Sequence, residues 1–365
     1  MPTLEGCRER QGRLLQYMET AGLATAILSR PKSICYFTGI LPDPTWPHSL
    51  VIHADGDAVL VTNFEPKKEV PARVHTYTGY SIHKVFGRET GHDESVALVG
   101  ELLRRGPTGV EFEWISGAMM AAIPEATKNL TPSLIEMRRR KMPDEVESMR
   151  ATAALASAGY SAIKQRLEPG MTELDAYGIV YEAMVTAAGT SVELNGDFAC
   201  GVRAIGGGGP PTRRVIEKGD LCIFDLFPIF DGYMCDLCRT FVAGQPGGEQ
   251  QDAWAHVLAA HDTARRQIRP GAPTRAVYEE VRAFLDRHPG TRGSFTHHAG
   301  HGVGMDGWEQ PWLNAGSDQT FVEGEVIACE PGLYSEALRG GIRLEHNYLV
   351  TQDGPVPIDT FPMDL

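Results

Sequence analysis

Two aspartates, Asp225 and Asp236, stand eleven positions apart in the run GDLCIFDLFPIFDGYMCDLCRTF, where most neighbours are apolar or aromatic. Asp231-Gly232 is a turn signal between the two apolar halves. A two-residue hairpin folded there sets Asp225 opposite Cys238 and Asp236 opposite Phe227. Residues two apart on a strand share a face, so the two carboxylates become diagonal neighbours within reach of each other. Ionised side by side in an apolar hairpin, they repel and lose solvation. They need a cation between them, or a proton on one.

Further donors lie downstream. VIACEPGLY ends an apolar strand on Glu330, and GGIRLEHNYLV alternates, with Arg343, Glu345 and Asn347 on one face. Taken alone, Glu345 reads as a salt-bridge partner of Arg343 or another base. HHAGHGVGMDGWEQP adds His301 among glycines. Asp225, Asp236, His301, Glu330 and Glu345 together make four carboxylates and an imidazole. That set suits two divalent ions of intermediate hardness, Mn²⁺, Fe²⁺, Co²⁺ or Zn²⁺, with Mn²⁺ favoured. Two such ions roughly 3.5–4 Å apart can share a water and activate it for hydrolysis.

The elements that must position these donors follow from periodicity. At 365 residues the chain is long for one core, and length favours two domains; the pattern changes near 140, giving 1–140 and 141–365. The first part reads as a small α/β domain: a helix over 6–22, strands at 24–29, 49–54 and 58–63 with an Asp55-Gly56-Asp57 turn, a helix over 94–105 and a strand at 108–112. Pro143, with Asp144 and Glu145 after it, starts a long helix. Thr172 to Asp175 looks like a capping box for another, ending near Gly189. Strands follow at 220–230, 232–243, 325–330 and 341–350, with helices over about 249–268 and 274–287.

Composition narrows the function classes. Lys and Arg number 34 against 47 Asp and Glu, a net charge of −13, which argues against a phosphate-backbone partner. The basic run Arg138-Arg139-Arg140-Lys141 reads as a solvated boundary. Seven scattered cysteines are no disulfide framework, and the polar N-terminus is no signal peptide; a cytoplasmic protein is expected. No stretch approaches a membrane span. Cys235 and Cys238 read as small strand hydrophobes.

The order Asp, Asp, His, Glu, Glu, in the contexts GDLCIFD, GYMCDLCRTF, GHGVGMD, ACEPGLY and GGIRLEH, resembles the pita-bread metallopeptidases of family M24, the group of prolidase and aminopeptidase P. ICYFTGI near 34–40 and RRRKMPDEVESMRATA resemble the same group, so the likeness covers nearly the whole chain. It implies an α+β protein, with a creatinase-like α/β N-terminal domain ahead of a pita-bread domain. It implies that Asp225 ligates one ion, that Asp236 and Glu345 bridge both, and that His301 and Glu330 hold the other. Glu330 would also accept a proton from the attacking water. His297 matches a substrate-side histidine of the group, and His298, with no such match, reads as structural. The glycines beside His301 would let the backbone approach the ions. A homodimer is implied as well.

The chain departs from the pattern twice. Trp308 stands where the group carries a histidine before the acid, and indole cannot shuttle a proton at neutral pH. A second histidine is expected at Gly207 or Gly208, inside the run Gly206–Gly209, which reads as a flexible pocket wall. The leading expectation is a dinuclear hydrolase of small peptides or peptide-like amides, most like an Xaa-Pro dipeptidase with a remodelled pocket containing His297, Trp308 and Arg343. The alternatives are a relative cleaving a small-molecule C–N bond, as creatinase or ectoine hydrolase does, and a catalytically silent binding module.

Overall fold

A computed structural model describes residues 2–79, 88–123 and 127–365. The chain divides into two compact units, Met1–Arg138 and Arg139–Leu365. The first runs α1 (Leu4–Ala21), β1 (Thr25–Leu28), α2 (Pro31–Thr38), β2 (Ser49–His53), β3 (Ala58–Thr62), β4 (Arg73–Thr76), α3 (Arg88–Leu102), β5 (Thr108–Val110), α4 (Gly117–Ala121), β6 (Thr127–Asn129) and α5 (Thr131–Arg139). Its sheet has the order β4-β3-β2-β1-β5-β6. Helix α1 begins two residues earlier than its apolar spacing suggests, because the Thr3 hydroxyl accepts from the Gly6 amide at 3.0 Å. It ends at Gly22, whose φ of 66° is the left-handed cap. The apolar run at 34–40 is largely helical, within α2. Glu111, after β5, accepts the Ser29 and Arg30 amides at the start of α2, each at 3.0 Å.

The second unit opens with α6 (Pro143–Arg166) and α7 (Glu173–Ala188), the latter capped by reciprocal Thr172–Asp175 hydrogen bonds. A three-stranded path β10-β8-β7 follows, made of β7 (Glu193–Cys200), β8 (Leu221–Phe230) and β10 (Leu237–Val242), with β9 (Tyr233–Met234) pairing with β8. After α8 (Gly248–Arg265) and α9 (Thr274–Leu285) come β11 (Gly300–Gly302), β12 (Glu309–Leu313), β13 (Val326–Cys329), β14 (Gly332–Ser335), β15 (Gly340–Arg343), β16 (His346–Thr351) and β17 (Gly354–Pro357). Five of these form a sheet of order β12-β11-β13-β16-β17, and β14 pairs with β15. Val257, Ala260 and Ala264 of α8 and Val277, Val281 and Leu285 of α9 sit at helical spacing. They share one buried cluster with Ile327, Leu333, Ile342 and Leu344.

The hairpin register is the one its turn dictates: Cys238 faces Asp225, and Phe230 pairs with Tyr233. The ladder nevertheless opens at Cys235-Asp236. There the Asn347 carboxamide takes over, accepting from the Asp236 amide at 3.0 Å and donating to the Asp236 carbonyl at 2.5 Å. The strand expected at 341–350 also breaks, at Leu344-Glu345, because β15 pairs with β14 and β16 with β13; the Glu345 amide donates instead to Cys238 O at 3.1 Å. Both breaks fall on acids of the candidate site. Asn347→Ala would leave two backbone groups of Asp236 buried and unpaired, an expected loss of about 1–3 kcal/mol, read as a lower urea midpoint.

The basic run lies where the two units divide, but of its four cations only Arg140 is exposed. Arg138, Arg139 and Lys141 are buried. Arg139 Nε donates to Glu325 Oε1 at 2.7 Å, and Lys141 Nζ to Glu309 Oε2 at 2.8 Å. Paired with carboxylates, these cations tolerate burial. Among the described residues, no helix is long and apolar enough to cross a membrane.

Candidate metal centre

Asp225 on β8, Asp236 beside β10, His301 on β11, Glu330 after β13 and Glu345 between β15 and β16 are all buried and converge in the second unit. Tyr160 of α6 fixes the hairpin from behind, its hydroxyl reaching the carbonyls of Phe224 and Leu237, each next in sequence to one of the paired acids. Behind Glu345 lies Arg239. Its guanidinium donates to the carbonyls of Cys238, Glu345, Phe361 and Pro362 and to Asp359 Oδ1, tying the chain's last turn to the acids.

Ligand atoms of Asp236, His301 and Glu345 lie within 4.8 Å of one another, and so do those of Asp225, Cys238 and Glu345. Glu345 thus has a ligand atom in both groups, and Glu330 falls in a third with His297 and His298. His301 Nδ1 lies 2.9 Å from Gly302 O, which can only accept. That fixes the N–H on Nδ1 and turns Nε2 toward Asp236 Oδ2 and Glu330 Oε1, each at 3.4 Å. Gly300 and Gly302 serve the sheet: a Cβ on either would overlap a carbonyl of a neighbouring strand, Ala328 O or Gln310 O.

Charge here is unbalanced. Burial pushes the carboxyls of Asp225, Asp236 and Glu345 upward. His301 is opposed by burial, yet Asp236 and Glu330 lift it to about 8. Burial also works against ionised Glu330, but His298, its Nδ1 3.2 Å from Oε1, acts with His301 and His297 to bring the carboxyl down to about 2. His298 is therefore an electrostatic partner of the site rather than a bystander. The Cys238 thiol is driven up by burial and by Asp225, so it remains neutral.

The cluster opens into a cavity of about 330 Å³, a volume suited to a small ligand. His297, Trp308 and Arg343 all line it. Burial lowers His297 to about 4. Its Nδ1 donates to His298 O at 2.7 Å, so neutral Nε2 accepts from Tyr334 OH at 2.6 Å. Trp308 is 71% exposed, an indole face at the rim. Arg343 does not pair with Glu345; it pairs with Asp225 and with Asp197, 2.8 Å away. The glycine run Gly206–Gly209 is a wall of the cavity. Buried Glu173 ties its approaches together, accepting from Cys200 N, Arg203 Nε and Thr212 N, each at 3.0 Å.

Asp225 Oδ1, Asp236 Oδ1 and both Glu345 oxygens are buried without a hydrogen-bond partner. Such groups are costly alone. Hard oxygens around one imidazole fit divalent cations of the manganese-to-zinc series.

Residues 147–352 match the model of metallopeptidase family M24, and residues 10–141 that of the creatinase/prolidase N-terminal domain. The chain is 25% identical over 351 residues to an Xaa-Pro dipeptidase of Pyrococcus furiosus, covering 95% of this chain and 96% of that one. It is 27% identical to a probable dipeptidase PepE of Mycobacterium tuberculosis, covering 94% and 92%. Among solved structures, an Xaa-Pro dipeptidase from Bacillus anthracis superposes with a TM-score of 0.85 at 23% identity, over 98% of this chain and 99% of that one. The prolidase from Pyrococcus horikoshii OT3 superposes with a TM-score of 0.82 at 22% identity, over 98% and 99%. These structures share the fold.

Proposed function

The chain belongs to metallopeptidase family M24, and from that premise we propose a dinuclear hydrolase of small peptides or peptide-like amides, most like an Xaa-Pro dipeptidase with a remodelled pocket. The family makes it a metal-dependent hydrolase with a creatinase-type N-terminal domain and a pita-bread catalytic domain. In this reading Asp225 holds one ion, Asp236 and Glu345 hold both, and His301 and Glu330 hold the second. Ions bound there would supply Lewis acidity, polarising the scissile carbonyl and acidifying water. The oxygen-rich donor set favours manganese. Glu330, kept ionised by its histidines, takes the role of proton acceptor that the family pattern gives this position. His297 orients the Tyr334 hydroxyl at the pocket edge, Trp308 offers a stacking face, and Arg343 closes the wall beside Asp225.

One observation carries the reading: unpartnered carboxylate oxygens gather around an imidazole nitrogen that faces them. Hydrolysis of a panel of Xaa-Pro dipeptides by manganese-reconstituted protein tests it, with Asp236→Ala as the blank. Turnover in the wild type, lost in the variant, is the expected result. Silence across the panel with two ions bound would refute the dipeptidase reading and move the substrate to another small C–N bond.

A further inference from the structure

The cavity lining includes an acid, Asp197, that plays no part in the ligand set. Asp197 lies on β7 directly opposite Asp225 on β8, so the two carboxylates stand side by side on one face. One arginine serves both: Arg343 Nη2 contacts Asp225 Oδ2 and lies 2.8 Å from Asp197 Oδ2. Its other terminal nitrogen is bound to Gly207 O and lies 3.3 Å from Tyr334 OH. Arg343 therefore has its terminal donors engaged within the wall, and its side chain is 8% exposed. Asp197, at 25%, is the member of the pair that a ligand meets.

The glycine run makes room for this. A Cβ at Gly208 would overlap the Asp197 carboxylate, whereas a Cβ at Gly207 would point into open space. An acid reaching in from the neighbouring strand thus fills the volume that a side chain at 208 would occupy. The cavity wall presents a carboxylate backed by a concealed guanidinium, in place of a projecting side chain from the run.

We propose that Asp197 determines specificity. By covering Arg343 it makes this wall accept hydrogen-bond donors or a cationic group and reject a free carboxylate, so that the preferred substrates are small amides capped or positively charged at that end. The proposal rests on the amide-hydrolase reading above. A substrate carboxylate set against Asp197 meets like charge in a partly desolvated pocket, where a pair a few ångströms apart is worth tenfold or more in affinity.

The test compares alanyl-proline with alanyl-prolinamide as substrates of manganese-reconstituted wild type and Asp197→Asn. The variant keeps the side-chain shape against Gly208 and removes only the charge. The wild type is expected to favour the amide in kcat/KM by about tenfold or more, and the variant to lose most of that preference. A second arm measures equilibrium binding of proline and prolinamide to metal-free protein, which needs no turnover. Prolinamide should bind more tightly to wild type, and Asp197→Asn should level the two. Equal binding, no binding of either, or a preference for proline in the wild type would overturn the proposal. Selective binding without turnover would uphold it while counting against the hydrolysis of these peptides.

Discussion

Asp236→Ala is expected to yield a folded protein that retains at most one divalent ion and loses roughly 10³-fold or more of its hydrolytic rate. The side chain lies where ligand atoms of His301 and Glu345 converge, its Oδ2 3.4 Å from His301 Nε2. If it holds both ions, as proposed, its removal weakens the pair. Metal assistance contributes several kcal/mol to amide hydrolysis, and each 1.4 kcal/mol is a factor of ten. Metal content by atomic emission after manganese reconstitution, together with the rate on the best substrate, measures both effects. Retention of two tightly held ions would sink the bridging role.

Glu345→Met is expected to act in opposite directions on the two forms. In metal-free wild type both Glu345 oxygens are buried and unpartnered, and burial, reinforced by Asp236 and Asp225, raises the carboxyl well above its usual range. Replacing a buried, unpartnered acid by an apolar side chain of similar size removes a desolvation penalty of about 1–3 kcal/mol. The metal-free variant should therefore melt above metal-free wild type, while manganese should raise the melting temperature of the wild type far more than that of the variant.

The pH dependence has a definite sign. Acids with raised folded-state pKa stabilise the fold below their unfolded value, about 4, and lose that contribution as pH rises through the folded one. Asp225, Asp236 and Glu345 all belong to this class. His301 acts in the same direction, its contribution present below about 6.5 and lost through about 8. The contribution of these four groups to metal-free stability should thus fall from mildly acidic to mildly alkaline pH, against the rise that buried neutral histidines such as His261 and His297 bring below about 6.5, and Glu345→Met should remove the share that Glu345 adds. A metal-free variant less stable than metal-free wild type at neutral pH would show that the site is not strained by its acids.

What could be read from the residues, and what could not, divides on sequence distance. The Asp231-Gly232 turn fixes its hairpin register locally, down to Cys238 facing Asp225, and the capping box at Thr172 is equally local. The break at Leu344-Glu345 leaves no mark, since period-2 alternation runs on unchanged when a chain passes from one sheet to another. The basic run looked solvated because its partners, Glu325 and Glu309, lie 186 and 168 positions from Arg139 and Lys141. His298 shows the same limit: nothing about adjacent histidines says which one will meet Glu330. Asp197 is an acid in the half-polar strand ELNGDFAC, and only the β7–β8 register puts it beside Asp225.

The Arg239 contacts have a consequence for how the protein is made. A chain emerges from the ribosome N-terminus first, and its units tend to fold in that order. The first unit is complete by Arg138, and Asp225, Asp236, His301, Glu330 and Glu345 emerge in turn after it. Yet the guanidinium that braces the carbonyls of Cys238 and Glu345 also needs Asp359, Phe361 and Pro362. Until those residues are free, Glu345 and the Cys238 carbonyl that receives its amide lack part of their final support. A chain stalled with Phe361 still inside the ribosome would display a finished first unit while its candidate centre lacked the Arg239 contacts to Asp359, Phe361 and Pro362.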